Sequence, residues 1–502
     1  MDKKKSLINV TVSIAFKLAT MVMAIVVKRL LIQKCGNDVN GLYALYTSII
    51  GFLAVAELGL ATAITFSMYK PIVEGNNDQV AALFHLFQRL YYVIGGVILA
   101  VGLLLIPFLR YFARDYARLD VNLKLTFLLM LVSVVLTYTF SAKTALFNAY
   151  KNNYVTTAIT SGGYLFQYVL QIAALLRTKS FVVFLICQIV TVAVQYVVTE
   201  LLVWKTYPAI LTNKQRVDEE TKAGLVKSIK AMFMHKVGFV LVNTVDSIVI
   251  SVFIGVAVLG TFSNYVTILN SMMGVLSLVF TSLTSVIGHL YVSETRETTR
   301  KYCESFHVLN YLMGIVFYLG CYAIVDDLVA ILFSEDLLVE KSISFVIVLN
   351  GFVQFMRQTV LLFRDSTGTF YNDRWKPLAE GLFNVVFSVL FVKEFGVAGV
   401  IGATIATNLL LCHVVEPYVL YKNAFHASPA PYYRKNYFWI LLFAGAMLVL
   451  NGLMVEVKNH WLQLLANGFI SVGVSVAVCL CVFLLYKKEC RMLLTMLRKN
   501  KV

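Results

Sequence analysis

Charge is scarce in this chain. Only 14% of its 502 residues are Asp, Glu, Lys or Arg, where soluble domains carry about 25%. Long polar stretches are equally rare. The longest is about residues 205–232, so there is no room for a soluble catalytic domain. Acidic residues number 27 against 43 Lys and Arg, with no acidic tail and no low-complexity linker. The eight cysteines include no Cys-x-x-Cys, and Cys479 and Cys481 sit inside an apolar run, where they pack as small apolar side chains. The seven histidines show no metal-ligand spacing, and no carboxylate cluster suggests catalysis, so neither a metal site nor catalytic residues are expected. One stretch, "GNDVNGLYALYTSI" at 36–49, begins like a phosphate-binding loop with Gly36 and Gly41. Such a loop needs Lys and then Ser or Thr after its second glycine. Leu42 and Tyr43 stand there instead, and no other nucleotide motif occurs.

What is present is apolar length. Hydrophobic residues make up 59% of the chain and the mean hydropathy is +0.78. Runs of about 20 residues, enough for a helix to cross about 30 Å of hydrocarbon, recur throughout. Fourteen are expected, at about 7–32, 41–66, 83–109, 121–147, 154–176, 181–203, 234–254, 260–289, 305–325, 342–363, 378–393, 396–420, 437–455 and 461–486. The pair at 378–420 is divided only by "KEFG". Lys3 to Lys5 resemble the basic start of a signal peptide, but Lys17 interrupts the apolar run, so the first segment is expected to stay as a helix.

The net charge of +16 does not indicate nucleic acid. With the N-terminus inside, about 28 Lys and Arg fall in cytoplasmic segments and about 9 in external ones, the positive-inside bias. Both termini are therefore expected in the cytoplasm, with anionic headgroups as lipid contacts. The external "RYFARDYARLD", with Arg110, Arg114 and Arg118, fits that pattern badly.

The glycine stretch has a second copy. "GVAVLGTFSNYVTI" at 255–268 matches it at an offset of 219: Gly36 with Gly255, Gly41 with Gly260, Tyr43 with Phe262, Tyr46 with Tyr265 and Ile49 with Ile268. The same offset carries Lys17 onto Lys236, and an offset of 223 carries Phe147 onto Phe370 and Lys151 onto Arg374. Six spans separate the copies, so both have one orientation, which is a parallel repeat. The expected fold is an all-α integral membrane protein of about 14 transmembrane helices. Two six-helix lobes, 1–230 and 231–424, are related by a pseudo-two-fold axis along the membrane normal. Two further helices and a basic cytoplasmic tail occupy 425–502. Gly36 and Gly255 are expected to end helices in the left-handed conformation, and Gly41 and Gly260 to let the next helix start close to its neighbour.

Charged residues inside spans cost roughly 2.5–3.5 kcal/mol each at a helix centre, so they are the functional candidates. Lys17 and Lys28 are eleven residues apart, about three turns, and share one face. Arg29 stands beside Lys28 and can reach the headgroups with it. Lys236 begins the seventh span. Arg357 lies inside the tenth, two turns before Arg364, and its guanidinium suits bidentate contact with a diphosphate. The competing roles differ: Lys28 and Arg29 can simply snorkel to the outer headgroups, Lys17 less easily, Lys236 can be the inner flank of its helix, and Arg357 can belong to a structural pair. Glu57 and Asp246 are candidates for charge pairing or for a coupling proton or sodium ion; Glu200, Glu380 and Glu416 lie nearer helix ends and read as structural.

Three stretches together resemble a family: "AELGLATAITFSMYKPI" from Ala56, "DSIVISVFIGVAVLGTFSNYVTILNSMMGVLSLVFTSLTSVIGHL" from Asp246, and "RDSTGTFYNDRWKPLAEGLFNVVFSVLFVKEFGVAGVIGATIATNLLLCHVVEPYVLYKNAF" from Arg364. They are similar to bacterial polysaccharide repeat-unit flippases (O-antigen, capsule, exopolysaccharide) of the multidrug/oligosaccharidyl-lipid/polysaccharide exporter superfamily. The resemblance covers most of residues 1–425. It implies alternating-access transfer of undecaprenyl-diphosphate-linked oligosaccharide from the inner to the outer leaflet of the bacterial cytoplasmic membrane, without cofactor. It also implies a polysaccharide polymerase and chain-length machinery as partners. The alternatives are a lipid II flippase, a multidrug exporter of the same fold, whose cationic substrates would want acidic cavities, and a membrane-embedded polymerase.

Overall fold

A computed structural model describes residues 3–57, 60–116, 119–213, 215, 217, 240–241 and 244–492. Among the described residues the protein is all-α. The helices are α1 Lys3–Cys35, α2 Asn37–Leu53, α3 Leu60–Val73, α4 Asn77–Leu105, α5 Leu123–Ala149, α6 Asn153–Thr178, α7 Phe181–Thr206, α8 Thr244–Phe253, α9 Val256–Ser293, α10 Arg296–Leu332, α11 Lys341–Met356, α12 Gln358–Ser366, α13 Lys376–Thr407, α14 His413–Leu420, α15 Ala430–Leu453 and α16 His460–Leu485. Nine stretches of the described residues are long and apolar enough to cross a membrane.

The chain itself marks where helices begin. Asn76, Asn122, Ser180, Thr295 and Asn459 each accept a hydrogen bond from a backbone N–H in the first turn of the helix they precede. Such caps satisfy donors that the helix leaves unpaired. The apolar stretch Lys376–Phe425 is 50 residues long, about 75 Å as one straight helix and far more than one crossing. It breaks at Gly396, whose φ of 55° and ψ of −133° lie outside helical space. This divides it at the glycine of the "KEFG" that separates the two expected spans. The expected second span is also interrupted: α2 gives way to a 3₁₀ turn at Ala54–Glu57 before α3 begins.

The chain forms two compact units, Met1–Gly260 and Thr261–Val502. α8 falls in the first of these units, and the C-terminal helices fall in the second. In the first unit α5 is the central element, packed on α4 and α7, while α6 packs on α1 and α7. In the second unit α10 holds that place, packed on α11, α15 and α16.

The repeat is visible in local chemistry. Tyr46 and Tyr265, paired by the sequence, are both fully buried. The Tyr46 hydroxyl donates to the Leu123 carbonyl at the start of α5 (3.0 Å), and the Tyr265 hydroxyl accepts from the Val339 N–H just before α11 (3.2 Å). Gly36 and Gly255 both have positive φ, 95° and 147°. Gly36 combines this with ψ 159°, an extended conformation open essentially to glycine alone. At Gly36 the expected left-handed helical cap is thus replaced by this extended glycine conformation. Gly41 and Gly260 meet each other. A Cβ on Gly41 would lie 1.9 Å from the Val256 carbonyl oxygen, and one on Gly260 would lie 2.4 Å from that of Asn37. Val256 is itself Asn37 carried by 219 residues, so the contact is reciprocal, as a local two-fold axis requires. Asn37 Nδ2 donates to the Ala257 carbonyl (2.9 Å) and Asn40 Nδ2 to the Gly260 carbonyl (3.1 Å), closing the crossing.

Candidate functional site

In the second unit the charges gather around Arg357. The helix breaks at this residue, between α11 and α12, where its N–H turns back to the Gln354 carbonyl at 3.3 Å. Its side chain is then gripped from two directions. Nε donates to Glu416 Oε2 (3.1 Å) and Nη2 to Glu416 Oε1 (2.6 Å), a two-pronged contact. Nη1 donates to Glu380 Oε1 (3.1 Å) and to Asn408 Oδ1 (2.6 Å). Lys376 completes the group, with Nζ 2.7 Å from Glu380 Oε2 and 2.6 Å from Glu416 Oε1. The elements explain the convergence. Lys376 and Glu380 are one turn apart at the start of α13. A wide π-helical turn at Asn408–Cys412 leads into α14, which carries Glu416. Such a turn inserts one residue and re-aims the helix beyond it. His413 fixes α14, with Nε2 at 3.0 Å from the Val353 carbonyl and Nδ1 at 2.8 Å from Asn436 Nδ2.

This cluster holds two cations and two carboxylates, and its members are buried or nearly so. A third cation, Arg364, pairs separately with Asp373 (2.9 Å) and with Asp365 (2.9 Å). The competition this sets up is chemical. Arg357 has the planar fork that a diphosphate would want, but Glu416 occupies it. An anion can take the site only if a carboxylate yields it. Glu380 and Glu416, read from sequence as structural, are the groups that hold Arg357.

In the first unit, Lys17 and Lys28 lie on one face of α1, within about 20° of each other; Lys17 is exposed and Lys28 partly covered. Glu57 ends the 3₁₀ turn between α2 and α3, where Tyr138 hydrogen-bonds to it and stacks on Tyr91 with centroids 6.2 Å apart. Asp246 is in α8 and partly covered. Lys236 lies outside the described residues.

Two residues were missed by sequence reasoning. Lys143, in α5, is 4% exposed and forms an ion pair with Glu200, which also accepts from Trp204 Nε1 at 2.9 Å. Its only sequence signal is a lysine within an apolar run. Lys376 reads as the flank of a span, although Glu380 four residues on has the spacing of a helical ion pair. Replacing Lys143 with Ala should leave the partly buried Glu200 carboxylate without its cation. A loss of about 3–5 kcal/mol is the measure for a buried pair broken on one side, and a fall in the thermal midpoint in detergent would record it. Lys143→Arg, which keeps the charge, should restore most of the midpoint.

No protein-family model and no curated protein sequence matches the chain. Solved structures do match in fold. The lipid II flippase MurJ in an inward closed conformation is 12% identical, with a TM-score of 0.63, covering 95% of this chain and 99% of that one. A multidrug-resistance MATE transporter in its inward-facing conformation is 14% identical, with a TM-score of 0.60, over 81% and 94%. A mutant of the Vibrio cholerae MATE transporter VcmN is 15% identical, with a TM-score of 0.56, over 84% and 98%. At these identities the likeness concerns the fold.

Proposed function

We propose that the chain is a flippase of the multidrug/oligosaccharidyl-lipid/polysaccharide exporter type. On this reading it carries undecaprenyl-diphosphate-linked oligosaccharide from the inner to the outer leaflet by alternating access. The observation that carries the reading is the fold match to a lipid flippase over nearly the whole of both chains. The multidrug transporters account for a smaller share of this chain, and the difference is about the length of two spans. Charge supports the same reading. A diphosphate and a sugar chain cannot enter hydrocarbon unaided, because bare charges and hydroxyls each cost several kcal/mol or more. Cations within the spans lower that cost, and Lys17 with Lys28 on one helical face can pass an anion along. A cationic drug would be repelled there. Lipid II presents the same diphosphate on the same kind of lipid, and the extent of the match in fold keeps it as the second reading.

Lys17→Ala is expected to reduce transfer of lipid-linked oligosaccharide to the outer leaflet by about ten- to a hundred-fold, the equivalent of one charged hydrogen bond lost. Lys17→Arg should keep part of the activity because the charge survives. Transfer is measured per folded protein in the membrane, with lipid II tested beside the oligosaccharide lipid. Undiminished transfer by Lys17→Ala would remove α1 from the pathway. Transfer of lipid II alone would decide for the second reading.

A further inference from the structure

A second polar group lies in the same unit, outside the Arg357 cluster. His307, on α10, is 2% exposed, and among the described residues neither of its ring nitrogens has a hydrogen-bond partner. It is packed between aromatic rings, with the Tyr432 ring centroid at 4.6 Å and that of Trp439 at 4.9 Å. Tyr311 also stacks on Trp439, with centroids 4.8 Å apart, and the Tyr421 ring lies 5.9 Å from that of Tyr432. The Tyr311, Tyr421 and Tyr432 hydroxyls and Trp439 Nε1 are likewise buried without partners among the described residues. So many unsatisfied polar atoms in one place are unusual, because each costs about 1–3 kcal/mol when buried. A cavity of about 10 Å³ adjoins the box, lined by Glu304, His307, Tyr421, Pro431, Tyr432 and Lys435. That is about the volume a single water needs.

We infer that His307 is a proton-binding site, loaded by water through the Glu304–Lys435 cavity. Of the groups in the box, imidazole is the one that exchanges a proton near neutral pH. The tyrosines and the tryptophan hold theirs. The charged groups around it are already committed. On α10, Arg300 pairs with Glu304 at 3.3 Å. From α15, Lys435 pairs with Glu489 at 2.8 Å. From α14, His413 is held at both nitrogens. The nearest carboxylate, Glu304, is shared with Arg300, and neither His307 nitrogen hydrogen-bonds to it, so the closed box gives a charged His307 no bonded partner, and the adjacent Lys435 disfavours a second cation. The faces of Tyr432 and Trp439 offer a weaker compensation, about 0.5–2 kcal/mol for a cation over a ring. His307 is thus neutral in the packed arrangement and takes its proton in one where the box has loosened. A proton that binds one conformation better than another shifts the balance between them. Glu304 and Lys435 are both partly exposed, on the end of the unit that the charge pattern assigns to the cytoplasm. The proton would enter as hydronium from that side and leave the imidazole when the box closes again. The inference deepens the flippase reading by giving it a coupling ion.

Trp439 supplies the probe. The other three tryptophans, Trp204, Trp375 and Trp461, are well exposed, so a variant with all three changed to Phe emits from Trp439 alone. Its emission is followed in detergent from about pH 8 to about pH 4.5, the range over which histidine titrates. A single-proton step is expected in this variant, lost with His307→Gln and kept with His413→Gln. A flat trace before any change at His307 would overturn the inference. So would a step that survives His307→Gln, or one that disappears with His413→Gln alone. A monodisperse size-exclusion profile establishes that each variant is folded, and the unaltered-His307 trace decides the matter even if His307→Gln is not. The titration needs no lipid-linked substrate, so its failure is separate from failure of the translocation assay.

Discussion

Arg357→Ala should cost the protein about 3–5 kcal/mol, the penalty for removing one partner from a buried charge pair. The substitution deletes four hydrogen bonds at once and leaves Glu416, 1% exposed, and Glu380 to share Lys376 alone. Two carboxylates facing one cation carry a net negative charge in a site that water barely reaches. The measurable result is a large fall in the thermal midpoint in detergent, or a loss of monodisperse protein. Arg357→Lys keeps the charge but cannot make the two-pronged contact with Glu416, so it should fall between. The double variant Arg357→Met with Glu416→Leu removes one charge of each sign and leaves Lys376 paired with Glu380. Apolar replacement of a whole buried pair is often neutral or better, so the midpoint should recover. If transfer stays low when stability has returned, Arg357 serves the substrate as well as the fold. An Arg357→Ala protein as stable as the parent would mean that the cluster holds nothing together.

Gly41→Ala should be at least as damaging, though it adds one methyl group. That carbon would sit 1.9 Å from the Val256 carbonyl oxygen, 2.8 Å from the Gly260 nitrogen and 2.9 Å from the Val256 carbonyl carbon. All three are backbone atoms, so no side chain can rotate away, and the two segments must separate. Separation also breaks the Asn37 and Asn40 bonds across the crossing. Little or no folded protein is expected by size exclusion, and Gly260→Ala should behave alike because its own Cβ would meet the Asn37 carbonyl. Gly96 is the control. It lies within α4 with nothing within 4 Å of a built Cβ, and alanine there should stabilise by about 0.5–1 kcal/mol through helix propensity. Equal yields of the Gly41 and Gly96 variants would show that the close approach is dispensable.

These two sites differ in how far the sequence discloses them. The glycine crossing was legible because its requirement is local: a turn that excludes Cβ must be written as glycine, and the repeat writes it twice. The spans were legible because hydrocarbon sets their length. The Arg357 cluster was legible by half. An arginine inside an apolar run is conspicuous, but its partners lie 23, 51 and 59 residues away on other helices, and no periodicity connects them. Lys143 and Glu200, 57 residues apart, were hidden for the same reason. Helix breaks at Arg357 and in the π-helical turns come from tertiary packing and have no short signature. His307 was passed over because a single histidine in an apolar run gives no hint of the rings that enclose it.

The reciprocal glycine contact also sets an order of events at the ribosome. Asn37 and Asn40 find their partners 220 residues later in the chain. At about 5–20 residues per second, translation needs on the order of ten seconds or more to supply them. During that interval α1 to α7 can be synthesised and can pack on one another, while the N-terminal end of α2 has no place to rest. The first unit is therefore finished by the opening residues of α9, and a nascent chain halted before residue 256 would carry an incomplete bundle for insertion factors or proteases to meet.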